Sequence, residues 1–177
     1  MTQKNINFLI TTIVIIFIFF IFFISLNKKN IYTNEEIKIK NIENFKTKEL
    51  FSGNIIDFTS LIDKKKKITV LNIWASWCLP CRDEHEFLME LSKIQNVTII
   101  GLNYKDNKDN AKSFIKEFGN PFDIILIDDK GLISIDIGAY GVPETYLINN
   151  FDKKIIKKYI GPIDNIKFKK IISLIKL

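Results

Sequence analysis

Both cysteines of the chain lie in one short segment, Trp77-Cys-Leu-Pro-Cys81, where two residues separate them. The segment follows an apolar run from Ile68 to Trp74. Two thiols at this spacing could bind a metal ion, form a structural disulfide, or exchange electrons as a reversible dithiol–disulfide pair. The residues around the pair favour one of these uses.

A metal site at this pair lacks ligands. Structural zinc takes four ligands from Cys, His or carboxylate, whereas the chain has a single histidine, His85, and no second CxxC segment. Copper-delivery proteins of the Sco type are marked by a CxxxC segment and a distant histidine. Here the spacing is CxxC, and His85 closely follows Cys81. We therefore expect His85 to be a partly exposed helix residue, and we expect no metal and no cofactor other than the cysteine pair.

Redox chemistry fits the local pattern better than a structural bridge, because a disulfide that closes so small a loop removes little chain entropy. If a strand ends near Trp74 and a helix begins near Leu79, Cys78 lies at a helix N-terminus, where unpaired N–H groups and the helix dipole stabilise a thiolate. Pro80 suits the first turn of that helix. Cys78 would then attack a partner disulfide, and Cys81 would resolve the mixed disulfide.

The neighbours of the cysteines could also contact a polypeptide. Trp77 and Leu79 flank Cys78 and could form an apolar rim for docking. The alternative for Trp77 is ordinary packing against the core.

The rest of the chain predicts a sheet with helices that would position the pair. Short runs rich in Ile and Val predict strands at 68–74, 97–103, 123–127, 145–148 and 155–160. Apolar residues at helical spacing predict helices at 79–94, 110–118 and 165–177. This order indicates an α/β sheet covered on both faces, in a domain of residues 45–177.

A membrane anchor precedes that domain. Residues 8–26 read FLITTIVIIFIFFIFFISL, without a charge, which is close to the roughly 20 apolar residues that cross a bilayer. No small-residue cleavage pattern follows it. We expect an uncleaved signal anchor, with residues 1–7 in the cytoplasm and residues 27–44 as a tether.

Charge gives less information. The formal charge is +6, and all basic residues except Arg82 are lysines spread over the chain. Nucleic-acid sites favour arginine, so we expect no nucleic-acid partner. The positive-inside rule taken literally would place the main domain in the cytoplasm, because Lys4 alone precedes the anchor while four lysines soon follow it: Lys28, Lys29, Lys38 and Lys40.

A second motif lies far from the cysteines in sequence. In Gly141-Val-Pro-Glu-Thr145, Pro143 stands at the entrance of a predicted strand and is a candidate cis-proline. Together with strand-WCxxC-helix, this arrangement resembles the thioredoxin superfamily. The segments LNIWASWCLPCRDEHEFLMEL, GLNYKD, GNPFD and YGVPETYLI are similar to the membrane-anchored thiol:disulfide interchange proteins of the DsbE/CcmG type, which serve cytochrome c maturation.

The resemblance implies a thioredoxin-like fold with a central βα insertion near residues 97–118. It implies a groove at Val142 and cis-Pro143, which with Trp77, Leu79 and Pro80 would bind the substrate. Glu84 and Glu144 match acidic residues near the site, where negative charge would oppose thiolate formation and favour a reductant. An exposed helix position is the alternative for Glu84.

The same resemblance implies partners and a location. The protein would reduce apocytochrome c or its haem-ligation chaperone and would take electrons from a membrane thiol carrier of the DsbD/CcdA type. Its catalytic domain would face outward from the bacterial cytoplasmic membrane, on the periplasmic side, against the lysine count. The alternatives are a less specific thiol-disulfide oxidoreductase of the ResA or TlpA type and, less favoured, the Sco-like copper module; the order GVPET favours the DsbE/CcmG type.

Overall fold

The N-terminal segment forms one long helix. The computed structural model describes residues 3–27 and 41–176, and its first helix, α1, is Gln3–Asn27. Residues Gln3–Ile24 have a mean hydropathy of 2.9, and nearly all of their side chains are exposed. The helix is long and apolar enough to cross a membrane, which fits the predicted single-pass anchor. Most of the predicted tether, residues 28–40, lies outside the described residues.

The folded unit is built on a five-stranded sheet. Its strands are β3 (Ile68–Trp74), β4 (Val97–Tyr104), β5 (Ile124–Asp128), β6 (Glu144–Asn149) and β7 (Ile155–Ile160), in the order β5-β4-β3-β6-β7. Strand β4 is parallel to β3 and β5, whereas β6 is antiparallel to β3 and β7. These are the five strands that the sequence predicts, with bounds that differ by at most one residue.

Two short strands before the sheet are absent from the sequence prediction. Strands β1 (Lys46–Lys48) and β2 (Ile55–Asp57) form an antiparallel hairpin, and a 3-10 turn at Phe58–Leu61 follows them. The folded unit also includes residues before the predicted start at residue 45, because Ile42 is buried and its N–H donates to Lys153 O at 3.1 Å.

The helices differ from the prediction at the cysteine segment. The single helix expected at 79–94 is divided into α2 (Leu79–Asp83) and α3 (His85–Leu91), with Glu84 between them. Helix α4 is Lys108–Phe118 and α6 is Asn165–Lys176. A further short helix, α5 (Leu132–Asp136), was not predicted.

Every residue of β3 is buried, because both faces of the sheet are covered. Val70 and Trp74 pack with both cysteines and with residues of α3, α4 and α6; we call this side of the sheet the cysteine face. Leu71 and Ile73 point the other way and pack with Ile42, the 3-10 turn and the residue after α5; we call that side the opposite face. The fold therefore holds β3 from both sides and fixes the strand end that leads into the cysteine segment.

The two outer strands of the sheet are protected differently. Strand β1 and the segment after it lie along β5: Thr47 Oγ1 donates to Ile127 O, and Leu50 N–H donates to Ile125 O at 2.8 Å. Strand β7 instead has a register shift opposite Leu147 and Ile148, and it carries Lys157 and Lys158. The first outer strand is covered by backbone, and the second is irregular and charged.

Candidate redox-active site

The cysteine pair lies where β3 leads into α2. Cys78 is the N-cap residue of α2, and it is joined to Cys81 by a disulfide with a Cα–Cα distance of 5.3 Å. The Cys81 N–H donates to Cys78 Sγ at 3.2 Å, and Pro80, in the first turn, has no N–H to leave unpaired. When the disulfide is reduced, this N–H is placed to stabilise negative charge on Cys78 Sγ.

The two side chains predicted as a docking rim point to solvent. Trp77 is 59% exposed and Leu79 is 66% exposed, while Cys78 between them is only 4% exposed. The aromatic residue packed in the core is Trp74, not Trp77. The exposed rim around a nearly buried sulfur suits a partner that covers the site with apolar groups.

Pro143 lies at the same end of the sheet as the cysteine segment. The Val142–Pro143 peptide bond is cis, and it immediately precedes β6, whose first residue, Glu144, pairs with Ile73 of β3. Because β6 runs antiparallel to β3, the start of β6 adjoins the end of β3. Pro143 is buried and Val142 is half-buried.

Glu84 is fully buried below the cysteine helix, so the exposed alternative is wrong. Its Oε1 accepts from Asn72 Nδ2 at 2.8 Å, and its Oε2 accepts from Ile163 N–H at 2.7 Å. Asn72 Nδ2 also donates to Thr145 Oγ1 at 3.1 Å, which joins β3, β6 and the helix break in one polar cluster. Burial outweighs these two hydrogen bonds and raises the pKa of Glu84 to about 7. At neutral pH this carboxyl group can therefore take up or release a proton.

The structure gives Glu144 a different setting from the predicted one. Its side chain lies on the opposite face, where Tyr146 OH donates to Oε2 at 3.2 Å and Lys158 Nζ lies 2.9 Å from the same oxygen. Its Oε1 accepts from the N–H groups of Tyr140 and Gly141. Glu144 is thus neutralised by a lysine and fixes the loop before Pro143, instead of adding bare negative charge beside Cys78.

These two placements weaken the charge argument for a reductant. Glu144 is compensated by Lys158, and burial raises the pKa of Glu84 to about 7, so this carboxyl group is not a fixed negative charge near neutral pH. The sequence pointed to these two acidic residues, but it could not show how each charge is compensated.

His85 is a core residue and not the partly exposed one that we expected. Its side chain is 5% exposed, its Nε2 lies 3.1 Å from Gly119 O, and its ring meets Phe114 and Phe118 edge-on. Burial lowers the pKa of His85, which favours the neutral ring. Within residues 3–27 and 41–176, no three side chains of His, Cys, Asp or Glu are grouped as metal ligands.

Sequence reasoning missed three polar residues that organise this end of the sheet. They are Asp106, which accepts hydrogen bonds from the turn before Cys78, Lys158, which pairs with Glu144, and Thr145, whose Oγ1 accepts from Asn72 Nδ2 beside Glu84. The GLNYKD segment contains Asp106, so a signal was present without a role. Lys158 could not be assigned because the register of β6 and β7 contains an irregularity.

Comparison with known proteins agrees with this geometry. Residues 41–173 match the Redoxin family model. The thiol:disulfide interchange protein CycY of Rhizobium leguminosarum bv. viciae is 50% identical over 105 residues, which are 59% of this chain and 56% of that protein. The thiol:disulfide interchange protein DsbE of Escherichia coli K12 is 47% identical over 83 residues, or 47% of this chain and 44% of that protein. The matched segments thus span about half the length of these relatives.

A solved structure supports the fold. A secreted disulfide oxidoreductase of Mycobacterium tuberculosis, described as homologous to E. coli DsbE, superposes with a TM-score of 0.62 at 21% identity and covers 75% of this chain and 94% of that one. The predicted thioredoxin-like α/β fold is therefore confirmed. Since the Redoxin model matches well over half of the residues, the chain belongs to the Redoxin family, within the thioredoxin superfamily.

Proposed function

We propose that the protein is a thiol-disulfide oxidoreductase that reduces disulfides on the path to haem attachment, in apocytochrome c or in the chaperone that presents its CxxCH segment. The observation that carries the proposal is the Cys78–Cys81 disulfide at the N-terminus of α2, beside an exposed apolar rim. The similarity to proteins named thiol:disulfide interchange proteins supports the same reaction.

The reaction passes two electrons through two exchange steps. The Cys78 thiolate attacks one sulfur of the partner disulfide, which forms a mixed disulfide and releases the other partner sulfur as a thiolate. The Cys81 thiolate then attacks Cys78 Sγ, which forms the Cys78–Cys81 disulfide and releases the second partner sulfur. The partner gains two electrons and, in total, two protons, while the cysteine pair is oxidised.

Glu84 is suited to the proton side of this exchange. Thiols lose protons as the pair becomes a disulfide, and a buried carboxyl group with a pKa of about 7 can accept or donate at neutral pH. It lies one helical turn beyond Cys81. In this proposal Glu84 acts as a proton acceptor and donor and not as a fixed negative charge. Glu144 has only a structural role.

The partner polypeptide would lie in an extended form along Val142 and cis-Pro143. Main-chain hydrogen bonds would supply modest affinity with little reading of side chains, and the rim of Trp77, Leu79 and Pro80 would cover the reacting sulfurs. Glu144 supports this arrangement because its Oε1 accepts from two N–H groups of the loop that leads to Pro143.

The chemistry of haem attachment motivates the choice of partner and of compartment. Attachment needs both cysteines of the CxxCH segment as free thiols, while compartments outside the cytoplasmic membrane tend to oxidise them. A reductant is needed there. We propose that the domain lies on that side of the bacterial cytoplasmic membrane, receives electrons from a membrane thiol carrier of the DsbD/CcdA type, and uses no cofactor, metal or nucleic acid.

The equilibrium potential of the cysteine pair tests the direction of electron flow. We expect a value between that of thioredoxin, about -270 mV, and that of protein disulfide isomerase, about -180 mV. The full chain in detergent micelles would be equilibrated with glutathione buffers and the two redox forms separated after thiol trapping. A potential near -120 mV, that of a strong oxidant, would mean that the domain inserts disulfides.

A competition assay addresses the substrate. The reduced protein should reduce the disulfide form of a CxxCH peptide faster than it reduces a scrambled peptide with the same two cysteines. Equal rates for both peptides would favour the less specific ResA or TlpA type of activity.

The topology makes a separate prediction. A reporter enzyme that is active only after export, fused after Leu177, should be active in bacterial cells, because we place the domain outside the membrane. A second fusion, with a reporter active only in the cytoplasm, should be silent. The reverse pattern with stable fusions would agree with the lysine count and refute the proposed side.

A further inference from the structure

The loop between β4 and α4 contacts the turn that precedes Cys78. The carboxylate of Asp106 in this loop accepts four hydrogen bonds. Ser76 N–H donates to Oδ2 at 2.6 Å and Ser76 Oγ donates to Oδ1 at 2.7 Å. Asn103 Nδ2 donates to Oδ2 at 2.9 Å, and Asn107 N–H donates to Oδ1 at 2.8 Å. One side chain therefore joins the cysteine turn to the end of β4.

The neighbouring residue of the same loop binds the next residue of the turn. Trp77 Nε1 donates to Lys105 O at 3.1 Å, so both residues immediately before Cys78 are attached to this loop. The loop is itself held in place, because Lys105 N–H donates to Asp128 O at the end of β5 and Asn103 is buried. The turn thus rests on two neighbouring strands of the sheet.

A carboxylate is the group that this site requires. Each oxygen of Asp106 accepts from two donors, and three of the four donors are N–H groups with no acceptor capacity. An amide in the same place would turn an NH₂ group towards at least one of these donors. Asp106→Asn therefore keeps the shape of the side chain but disrupts the pairing, whichever way the amide is turned.

We propose that Asp106 is a positioning residue, which holds the Ser76–Trp77 turn and so fixes the direction in which Cys78 and the Trp77 rim meet a partner polypeptide. It acts through Ser76 and takes no part in the exchange of electrons. The proposal rests on the thiol-disulfide activity proposed above. A more mobile turn would leave the thiol chemistry of Cys78 intact. It would widen the range of orientations in which Cys78 meets a docked disulfide, and fewer of these orientations would allow attack.

Two measurements on the full chain in detergent micelles test this role. Amide hydrogen exchange should be at least tenfold faster at Ser76 in Asp106→Asn than in the wild type, because that N–H loses its charged acceptor. The rate at which the reduced protein reacts with an oxidised CxxCH peptide would be measured from pH 5 to pH 9. On the plateau of this pH profile, the rate of Asp106→Asn should be at least fivefold below that of wild type. Its plateau rate with iodoacetamide, which needs no docking, should stay within twofold of the wild-type rate.

Asp109→Asn is the matched control, because it removes the same charge from an exposed position in the first turn of α4. It should leave the exchange rate and both plateau rates within twofold of wild type. If Asp106→Asn does not fold, Ser76→Ala removes one of the four donors and should give a smaller loss with the same selectivity for the peptide. Asp106→Glu, which keeps the charge and lengthens the side chain, should recover part of the rate with the peptide.

The outcomes separate this proposal from the proposed function. Unchanged exchange at Ser76 and an unchanged peptide rate in a folded Asp106→Asn protein would overturn the positioning role, as would an equal loss in Asp109→Asn. A wild-type protein that does not reduce the peptide would refute the function instead, and hydrogen exchange at Ser76 would still decide whether Asp106 holds the turn.

Discussion

Replacement of Cys81 by serine is expected to leave the protein covalently attached to its partner. In this variant Cys78 can still attack, because its N-cap position and the N–H of residue 81 remain. The mixed disulfide cannot be resolved without the second thiol. Turnover should therefore fall by roughly a thousandfold or more, as when the reacting group of a covalent mechanism is removed. Non-reducing electrophoresis of the full chain with the oxidised CxxCH peptide would show the adduct, and mass spectrometry would locate it at Cys78.

Cys78→Ser is the comparison that fixes the order of attack. It should lose turnover to the same extent but should trap little or no peptide. Adducts that form only in Cys78→Ser would reverse the roles of the two cysteines. Adducts in both variants to the same degree would mean that the N-terminal position does not select the nucleophile.

The second large effect concerns Glu84 and the pH dependence of stability. Its pKa is raised from an ordinary value of 4.5 to about 7 in the folded protein. Between these values the folded state holds a proton that the unfolded state has lost, so stability decreases as pH rises through this range. Because each pKa unit corresponds to about 1.4 kcal/mol, the total cost above pH 7 is about 3 kcal/mol. Below pH 4.5 both states are protonated and the cost disappears.

Glu84→Gln should remove this dependence. The amide stays neutral at every pH, so the variant should lose about 2 to 3 kcal/mol less stability than wild type between pH 5 and pH 8.5. It would also lose one of two acceptors, because its NH₂ group faces either Asn72 Nδ2 or Ile163 N–H, and this costs about 1 to 3 kcal/mol at all pH values. Urea unfolding of the oxidised full chain, followed by tryptophan fluorescence, measures both quantities.

Glu86→Gln provides the control for Glu84, since Glu86 is exposed in the first turn of α3. Its stability should follow the wild-type pH profile closely. A Glu84→Gln profile parallel to that of wild type would show that Glu84 ionises at an ordinary pH despite its burial.

The sheet could be predicted from the sequence because its strands are short runs rich in Ile and other apolar residues. Strand β3 is buried on both faces, so its residues from Ile68 to Trp74 are apolar except for Thr69 and Asn72. Strands β1 and β2 gave no such signal: each has three residues, and β1 is Lys-Thr-Lys. Their pairing depends on the hairpin and on contacts with β5, which are not local in sequence.

The cysteine pair was predictable for a similar reason, since its function depends on spacing within one segment. The roles of the acidic residues were not predictable, because they depend on the direction in which each side chain points. Thr145 contacts Asn72 on the cysteine face, and neighbouring residues of a strand point to opposite faces, so Glu144 must point away from Asn72. The burial of Glu84 could not be predicted because the predicted helix was continuous, whereas the chain breaks there and the Glu84 carboxylate accepts from Ile163 N–H.

The protected edges of the sheet limit where an extended polypeptide could pair with this domain. A polypeptide that awaits haem attachment offers extended backbone, and an open strand edge would pair with it at any point. Here the segment after β1 is already hydrogen-bonded to the backbone of β5 at Ile125. Strand β7 carries lysines and has an irregular register. Both features oppose indiscriminate strand addition and the aggregation that follows from it. Under the proposed function, the two protected edges would leave the loop beside Pro143 as the place for an extended partner, and a larger fraction of encounters would then reach the sulfurs.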